Sequence, residues 1–243
     1  MRRRFFIDEF DAKSATLRGD AAAHLGRVLR AERGQLYELS DGRTVWLGRI
    51  EQVILPRRGD CCVEFELVEP VSASESRLQL QLLLSIVKFD RFELSIEKAT
   101  ELGVTQIVPL AAARSDKQLL APAVTRQPRW EKILYESAQQ SRRIRPPVLR
   151  ELVRPNEGFS RSSADLKILL SESREAPSLR DVLSGVQAAG TVSLAVGPEG
   201  GWTEDEVEGA REAGFLEASL GETILRTETA VIASLAVIRF ALG

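Results

Sequence analysis

The chain of 243 residues carries 33 Lys+Arg against 35 Asp+Glu, a formal net charge of −2, and is 44% apolar and 28% charged. That length suits one large or two small domains with a substantial core, and the composition excludes disordered, fibrous and solenoid-repeat classes. The charge is segregated: residues 1–58 hold twelve Lys/Arg against eight Asp/Glu (+4), residues 114–154 ten against four (+6), and residues 155–243 seven against fourteen (−7). Clustered basic charge is a footprint of phosphate-backbone binding, so RNA is an expected partner, with a solvated basic face as the alternative.

The start, "MRRRFFIDEF", has no apolar run of secretory length, which leads to an expectation of a cytoplasmic protein. From about residue 5 to 70, "RFFIDEF", "QLYEL", "TVWLGRI" and "CCVEFELV" place apolar residues near every second position. Asp41-Gly42 is a hairpin signal between two of them, and a small antiparallel barrel or sandwich is expected. A helical stretch at 21–34, "AAAHLGRVLRAERG", would present Arg27, Arg30 and Arg33 on a face ended by Gly34. Adjacent Cys61 and Cys62 in a strand point to opposite faces, and His24 is the sole histidine. No metal site is expected, nor a Ser/His or Cys/His nucleophile system.

"PVSASES" at 70–76 reads as a linker, after which β and α patterns alternate. "LQLQLLLSIV" is a strand, "RFELSIEKATELG" a helix stopped by Gly103, and "TQIVPL" a strand. A helix over about 128–141 follows, then the strand "LKILL", a helix near 178–189, the strand "VSLAV", a helix from 203, the short strand "EASL" and a C-terminal helix. This order predicts a mostly parallel sheet flanked by helices, with ligands beyond the carboxyl ends of its strands. "AVIASLAVI" in the last helix is too short to span a membrane and is closed by Arg239. Its apolar residues cover more than one face, so burial is expected in its own domain or against a second subunit.

The stretch "LAVGPEGGWTEDEVEGAREAGF" (194–215) combines a glycine loop with a capping box, Thr203 to Glu206, and a helix ended by Gly214. Glycine turns into helices often cradle phosphate. Here Glu204, Asp205 and Glu206 fill the first turn, with Glu199 just upstream, and neither a phosphate-loop lysine nor a spaced GxGxxG accompanies the glycines. A neutral or cationic ligand approached by backbone fits better. A second glycine turn, "LGETILRTETA" (220–230), would face the same pocket, and Gly197, Gly200, Gly201 and Gly221 let the chain come close to the edge of a base such as adenine.

"KFDRFELSIEKATELGVTQIVPL", "ESAQQSRRIRPP", "VGPEGGWTEDEVEGAREAGF" and "SLGETILRTETA", in this order and spacing, closely resemble the bacterial RsmE family. "RRFF" and "HLGRVLRAERG" with "LSDG" resemble that family's PUA-like RNA-binding domain, so the resemblance covers nearly the whole chain. It implies a SPOUT-class α/β fold with a C-terminal trefoil knot over residues 73–243, a PUA-like β-barrel over 1–72, and a homodimer. The implied activity is methylation of N3 of uridine 1498 in 16S ribosomal RNA, within the 30S subunit, from S-adenosylmethionine. By the same resemblance the cofactor lies among Gly197, Glu199, Gly200, Gly201, Leu220, Gly221, Leu225 and Arg226. Many relatives carry a smaller residue where this chain has Arg142.

Methyl transfer from a sulfonium needs alignment and loss of the uridine N3 proton. With no histidine in the second half of the chain, arginines that stabilise a uridine anion, or a carboxylate base, are the candidates. Arg226 is expected beside the cofactor, with Arg143 or Arg114 positioning the nucleotide; Glu228 is a candidate base or a helix-start carboxylate. Arg4, Arg27, Arg30 and Arg143 are expected RNA contacts. The alternatives are a related SPOUT methyltransferase acting on another RNA and a non-catalytic ribosome-assembly factor.

Overall fold

Alternating apolar residues build the first sheet of the computed structural model, which describes residues 3–8, 10–73, 76–186 and 189–243. Ser74 and Glu75 of the expected linker lie outside the described residues. The strands are β1 (Arg4–Phe6), β2 (Ser14–Arg18), β3 (Leu36–Ser40), β4 (Val45–Ile54) and β5 (Cys62–Pro70), in the order β1-β3-β4-β5-β2. Leu39, Ile50, Val63 and Phe65 share one core with Phe5 and Leu17. Asp41 shapes the β3–β4 turn by accepting from the amides of Arg43 (2.9 Å) and Thr44 (2.7 Å), as Asp side chains do in tight turns.

Two expectations for this region are corrected. The sheet is not wholly antiparallel: β1 and β3 pair in parallel, which the long connection through β2 permits, and among the described residues β1 and β2 are the outermost strands of the pairing order. The helix expected at 21–34 is also shorter. Helix α1 (Gly19–Ala23) runs into a π-helical turn over His24–Val28, and Arg30 then adopts a left-handed φ of 51°. Arg30 and Arg33 therefore follow the helical segment, and no single arginine face forms. Cys61 is buried, Cys62 half-buried, and both are free thiols. His24 Nε2 lies 3.1 Å from Arg3 Nη1, and among the described residues no group of His, Cys, Asp and Glu could hold a metal.

The second sheet comprises β6 (Gln79–Ser85), β7 (Val104–Leu110), β8 (Val148–Leu149), β9 (Leu166–Leu170), β10 (Thr191–Val196) and β11 (Leu216–Ala218). Its order is β11-β9-β10-β6-β7-β8 and every pair is parallel. Both faces are buried, which explains near-continuous apolar strands. Leu80, Leu82, Ile168 and Leu194 pack with Phe92 and Ile96 of α2 (Phe89–Glu101) and Val231 and Leu235 of α8 (Thr227–Leu242). On the opposite face Leu83, Val108, Leu169 and Ala195 pack with Phe159 of α5 (Pro155–Ser160) and Ala210 of α7 (Glu204–Glu212). An α/β/α sandwich results.

Helix α3 (Lys117–Thr125) is hidden from pattern reading by Pro122 in its interior, yet Asp116 caps it by accepting from Gln118 N. Helix α4 (Gln127–Gln140) matches the pattern at 128–141. Helix α6 (Leu179–Ser184) is shorter than the expected 178–189, because Ser178 caps its start and Gly185 ends it; Gln187 and Ala188 lie outside the described residues. Helix α8 buries Val231, Leu235 and Ile238 but leaves Val237 and Phe240 exposed, the latter at 93%. Among the described residues no helix is long and apolar enough to cross a membrane.

The chain divides into two compact units: Met1–Glu75 with Ala138–Pro146, and Ser76–Ser137 with Pro147–Gly243. Part of the basic charge in 114–154 serves the fold. Arg129 donates to both carboxylate oxygens of Glu93 at 2.7 and 2.8 Å, and Arg126 adds a contact at 3.3 Å. The hydrogen bond from Arg129 holds the Glu93 carboxyl below its usual range, against an upward push from burial.

Candidate functional site

In the second unit the carboxyl ends of three adjacent strands, β11, β9 and β10, lie side by side, and their following loops surround a cleft of about 1150 Å³. Gly197, Glu199, Gly200 and Gly201 line it from the β10 loop, and Leu220, Gly221, Leu225 and Arg226 from the β11 loop. These are the eight residues expected there. A third wall, Ser171 to Arg174 after β9, was not anticipated. Its signal was present in "LKILLSESREAPS", since every strand end of a parallel sheet opens on the same side, but only the strand order makes β9 a neighbour of the other two.

Trp202 organises two of the walls. Its indole Nε1 donates to Leu170 O at the end of β9 (3.0 Å), and its ring packs edge-on to Phe159, with centroids 5.7 Å apart. A Cβ on residue 197 would stand 3.1 Å from that indole, so Gly197 permits the close approach. At Gly221 the need is conformational: its φ is 119°.

Helix α7 starts with the anticipated capping box, Thr203 Oγ1 accepting from Glu206 N (3.3 Å) and Glu206 Oε2 accepting from Thr203 N (2.9 Å). Beyond that box, Glu206 Oε1 accepts from Ala113 N (2.8 Å), and Ser115 Oγ donates to Ile86 O (2.8 Å). The loop after β7 is thereby pinned on both sides of Arg114. Arg114 itself lines the cleft and donates to Gly200 O (2.9 Å). Replacing Glu206 with Ala is expected to cost about 1–3 kcal/mol, since it removes a cap and strands the Ala113 amide. A urea midpoint indistinguishable from wild type would show that Glu206 holds neither element.

One cleft-lining carboxylate is tied to a charged chain behind the cleft. Glu199 pairs with Arg91 of α2, and Arg91 Nε lies 4.0 Å from Glu228 Oε1. Glu228 does not line the cleft, and among the described residues its buried Oε2 has no hydrogen-bond partner. At the start of α8 it suits the helix dipole. Arg226 occupies the N-cap position of α8, exposed on the cleft, and among the described residues no ion pair or hydrogen bond occupies its guanidinium.

The RNA methyltransferase domain family matches residues 74–239. Ribosomal RNA small subunit methyltransferase E of Synechocystis is 34% identical over 217 residues, covering 88% of this chain and 68% of the relative. The enzyme of the same name from Mycobacterium bovis is 31% identical over 241 residues, covering 95% and 88%. The chain belongs to this family. A family structure from Neisseria gonorrhoeae, bound to S-adenosyl methionine, superposes with a TM-score of 0.85 at 30% identity, covering 100% of this chain and 99% of that one.

The arginines expected to contact RNA are placed away from this cleft. Arg27 is exposed and donates to Pro56 O (3.0 Å), and Arg30 is exposed in the turn that follows. Arg143 is half-buried in the segment 138–146, which groups with the first unit, and does not line the cleft. Arg4 is a correction. It is 4% exposed, its Nε and Nη2 donate to Glu38 Oε2 (3.1 and 2.8 Å), and Nη1 donates to Arg142 O (2.6 Å). A guanidinium so enclosed has no surface to offer a phosphate.

Proposed function

We propose that this protein transfers a methyl group from S-adenosylmethionine to N3 of uridine 1498 in 16S ribosomal RNA, within the 30S subunit. The observation that carries the reading is the cleft at three adjacent strand ends, walled by glycine backbone and lacking any phosphate-loop lysine, and lined by Arg226, unpaired among the described residues. Its chemistry fits the cofactor. Leu170, Val196, Leu220 and Leu225 supply apolar walls, and the glycine loops supply backbone amides and carbonyls. The family relative solved with that molecule supports the same choice.

When bound, the cofactor supplies a methyl group on a sulfonium, whose thioether leaving group needs no acid. The protein's tasks are alignment and exposure of a nucleophilic nitrogen. Gly197, Gly200, Gly201 and Gly221 hold the adenosine end by main chain, beside Glu199, Leu220 and Leu225. As the N3 proton passes to solvent water, negative charge spreads over the uracil oxygens, and the Arg226 guanidinium stabilises it. Arg114, tethered to Gly200 O, positions the nucleotide, and Arg143 acts on the RNA from the first unit. Glu228, facing Arg91, acts as a helix-start carboxylate. Residues 1–72 serve as a PUA-like RNA-binding domain, with Arg27 and Arg30 as phosphate contacts, and residues 73–243 as a knotted SPOUT domain. Exposed Val237 and Phe240 on α8 support a homodimer, and the protein works in the cytoplasm.

The deciding experiment is labelled methyl transfer to 30S subunits lacking the uridine N3 methyl, with free 16S RNA alongside and nucleoside mass spectrometry of the product. The expected outcome is 3-methyluridine at a single site. A different methylated nucleoside would point to a related methyltransferase, and loss of cofactor binding to an assembly factor. Binding to RNA is expected to weaken by roughly 20- to 40-fold between 50 and 200 mM salt, as the three phosphate contacts Arg27, Arg30 and Arg143 require. A flat salt profile would exclude a phosphate-led interface.

A further inference from the structure

The segment "QSRRIRPP" is held in place by the first sheet through three side chains. Arg4 of β1 and Glu38 of β3 are paired directly in the strand register, and both are buried. Glu38 Oε2 takes two of the Arg4 donors, while the third goes to the main-chain carbonyl of Arg142. Glu38 Oε1 lies 3.8 Å from Arg142 Nη1. Two residues further along the segment, Ser40 Oγ donates to Ile144 O at 2.6 Å, and Ile144 is itself buried.

The main chain here is sharply turned. Helix α4 ends in a double hydrogen bond, Arg143 N to Ala138 O (2.9 Å) and Arg142 N to Gln139 O (3.4 Å), with Arg142 at a φ of 55°. That is the position where glycine usually ends a helix. An arginine is strained there, and its carbonyl is the one that accepts from Arg4 Nη1. The captured segment also changes the charge of its unit. Residues 1–75 carry twelve Lys/Arg against thirteen Asp/Glu, a net of −1, and Arg142, Arg143 and Arg145 bring the unit to +2.

We infer that Arg4, Glu38 and Ser40 are positioning residues for RNA: they hold the main chain of residues 142–144 so that the arginines of this strap form part of the phosphate-binding surface of the first unit. The inference rests on the RNA methyltransferase reading. It gives buried Arg4 a role through the strap instead of through contact.

Truncating Arg4 to Ala would leave Glu38 buried without its partner and endanger folding, so the test uses Arg4→Lys and Ser40→Ala, singly and together. Lys keeps the charge beside Glu38 but cannot reach Glu38 and Arg142 O at once. Direct binding of 16S ribosomal RNA is measured against salt, together with S-adenosylmethionine affinity and the thermal midpoint. The expected result is a log–log salt slope shallower by about one for each phosphate that the strap no longer neutralises, with affinity down roughly tenfold for each at 0.1 M salt and cofactor affinity unchanged. A folded double variant with wild-type slope and affinity would overturn the inference. So would parallel losses of RNA affinity, cofactor affinity and midpoint without a change of slope, which is what a purely structural role predicts. Because binding is read directly, wild-type protein that binds RNA but methylates none of it would defeat the proposed activity and leave the strap result standing.

Discussion

Arg226→Ala is expected to lower methyl transfer by about 10²- to 10³-fold, the range found when a preorganised charge-stabilising donor is removed. The argument is geometric. Arg226 lies on the cleft at the start of α8, and among the described residues its guanidinium meets no protein acceptor, so its removal strands no buried group. The thermal midpoint is expected to stay near wild type, and at saturating cofactor the loss falls on the transfer step. The measurement is single-turnover transfer at saturating cofactor and RNA. A rate within about threefold of wild type would remove Arg226 from the mechanism, and Arg114 would become the leading cation, since it lines the same cleft.

Trp202→Ala is expected to be the most destabilising change in the site, at about 3–5 kcal/mol, because it empties a largely buried indole volume. It also leaves Leu170 O without its donor and removes the ring that seats Gly197 and Phe159. For a chain of this size that corresponds to a midpoint lower by about 6–20 °C. Cofactor affinity should fall too, since the β9 and β10 loops lose their common support. Trp202→Phe keeps an aromatic ring and loses the N–H, so a cost of about 1–3 kcal/mol is expected. If Trp202→Ala melted within about 3 °C of wild type, the indole would be a cover on the cleft and not its brace.

Much of the site was legible from local pattern. The capping box at Thr203 and Glu206 forms as its spacing predicts, and "LKILL" is a strand over its whole length, Leu166–Leu170. Elements too short or too irregular for periodicity were missed: β8, α5, and α3 with its internal Pro122. The basic count over 114–154 could not distinguish lone cations from paired ones such as Arg126 and Arg129, which share Glu93.

The sequence by itself determined the alternation of strands and helices, the two glycine turns and the family resemblance, because each depends on residues close together in the chain. Only the tertiary structure decided that β9 lies between β10 and β11 and brings a third wall to the cleft. It alone revealed that Glu206 reaches Ala113 across 93 positions, and that Arg4 turns inward to a carbonyl 138 residues away. The physical reason is that an arginine or a glutamate carries the same local signature whether it faces solvent or a buried partner. Which of the two it meets is set by strand order and by where distant backbone comes to rest.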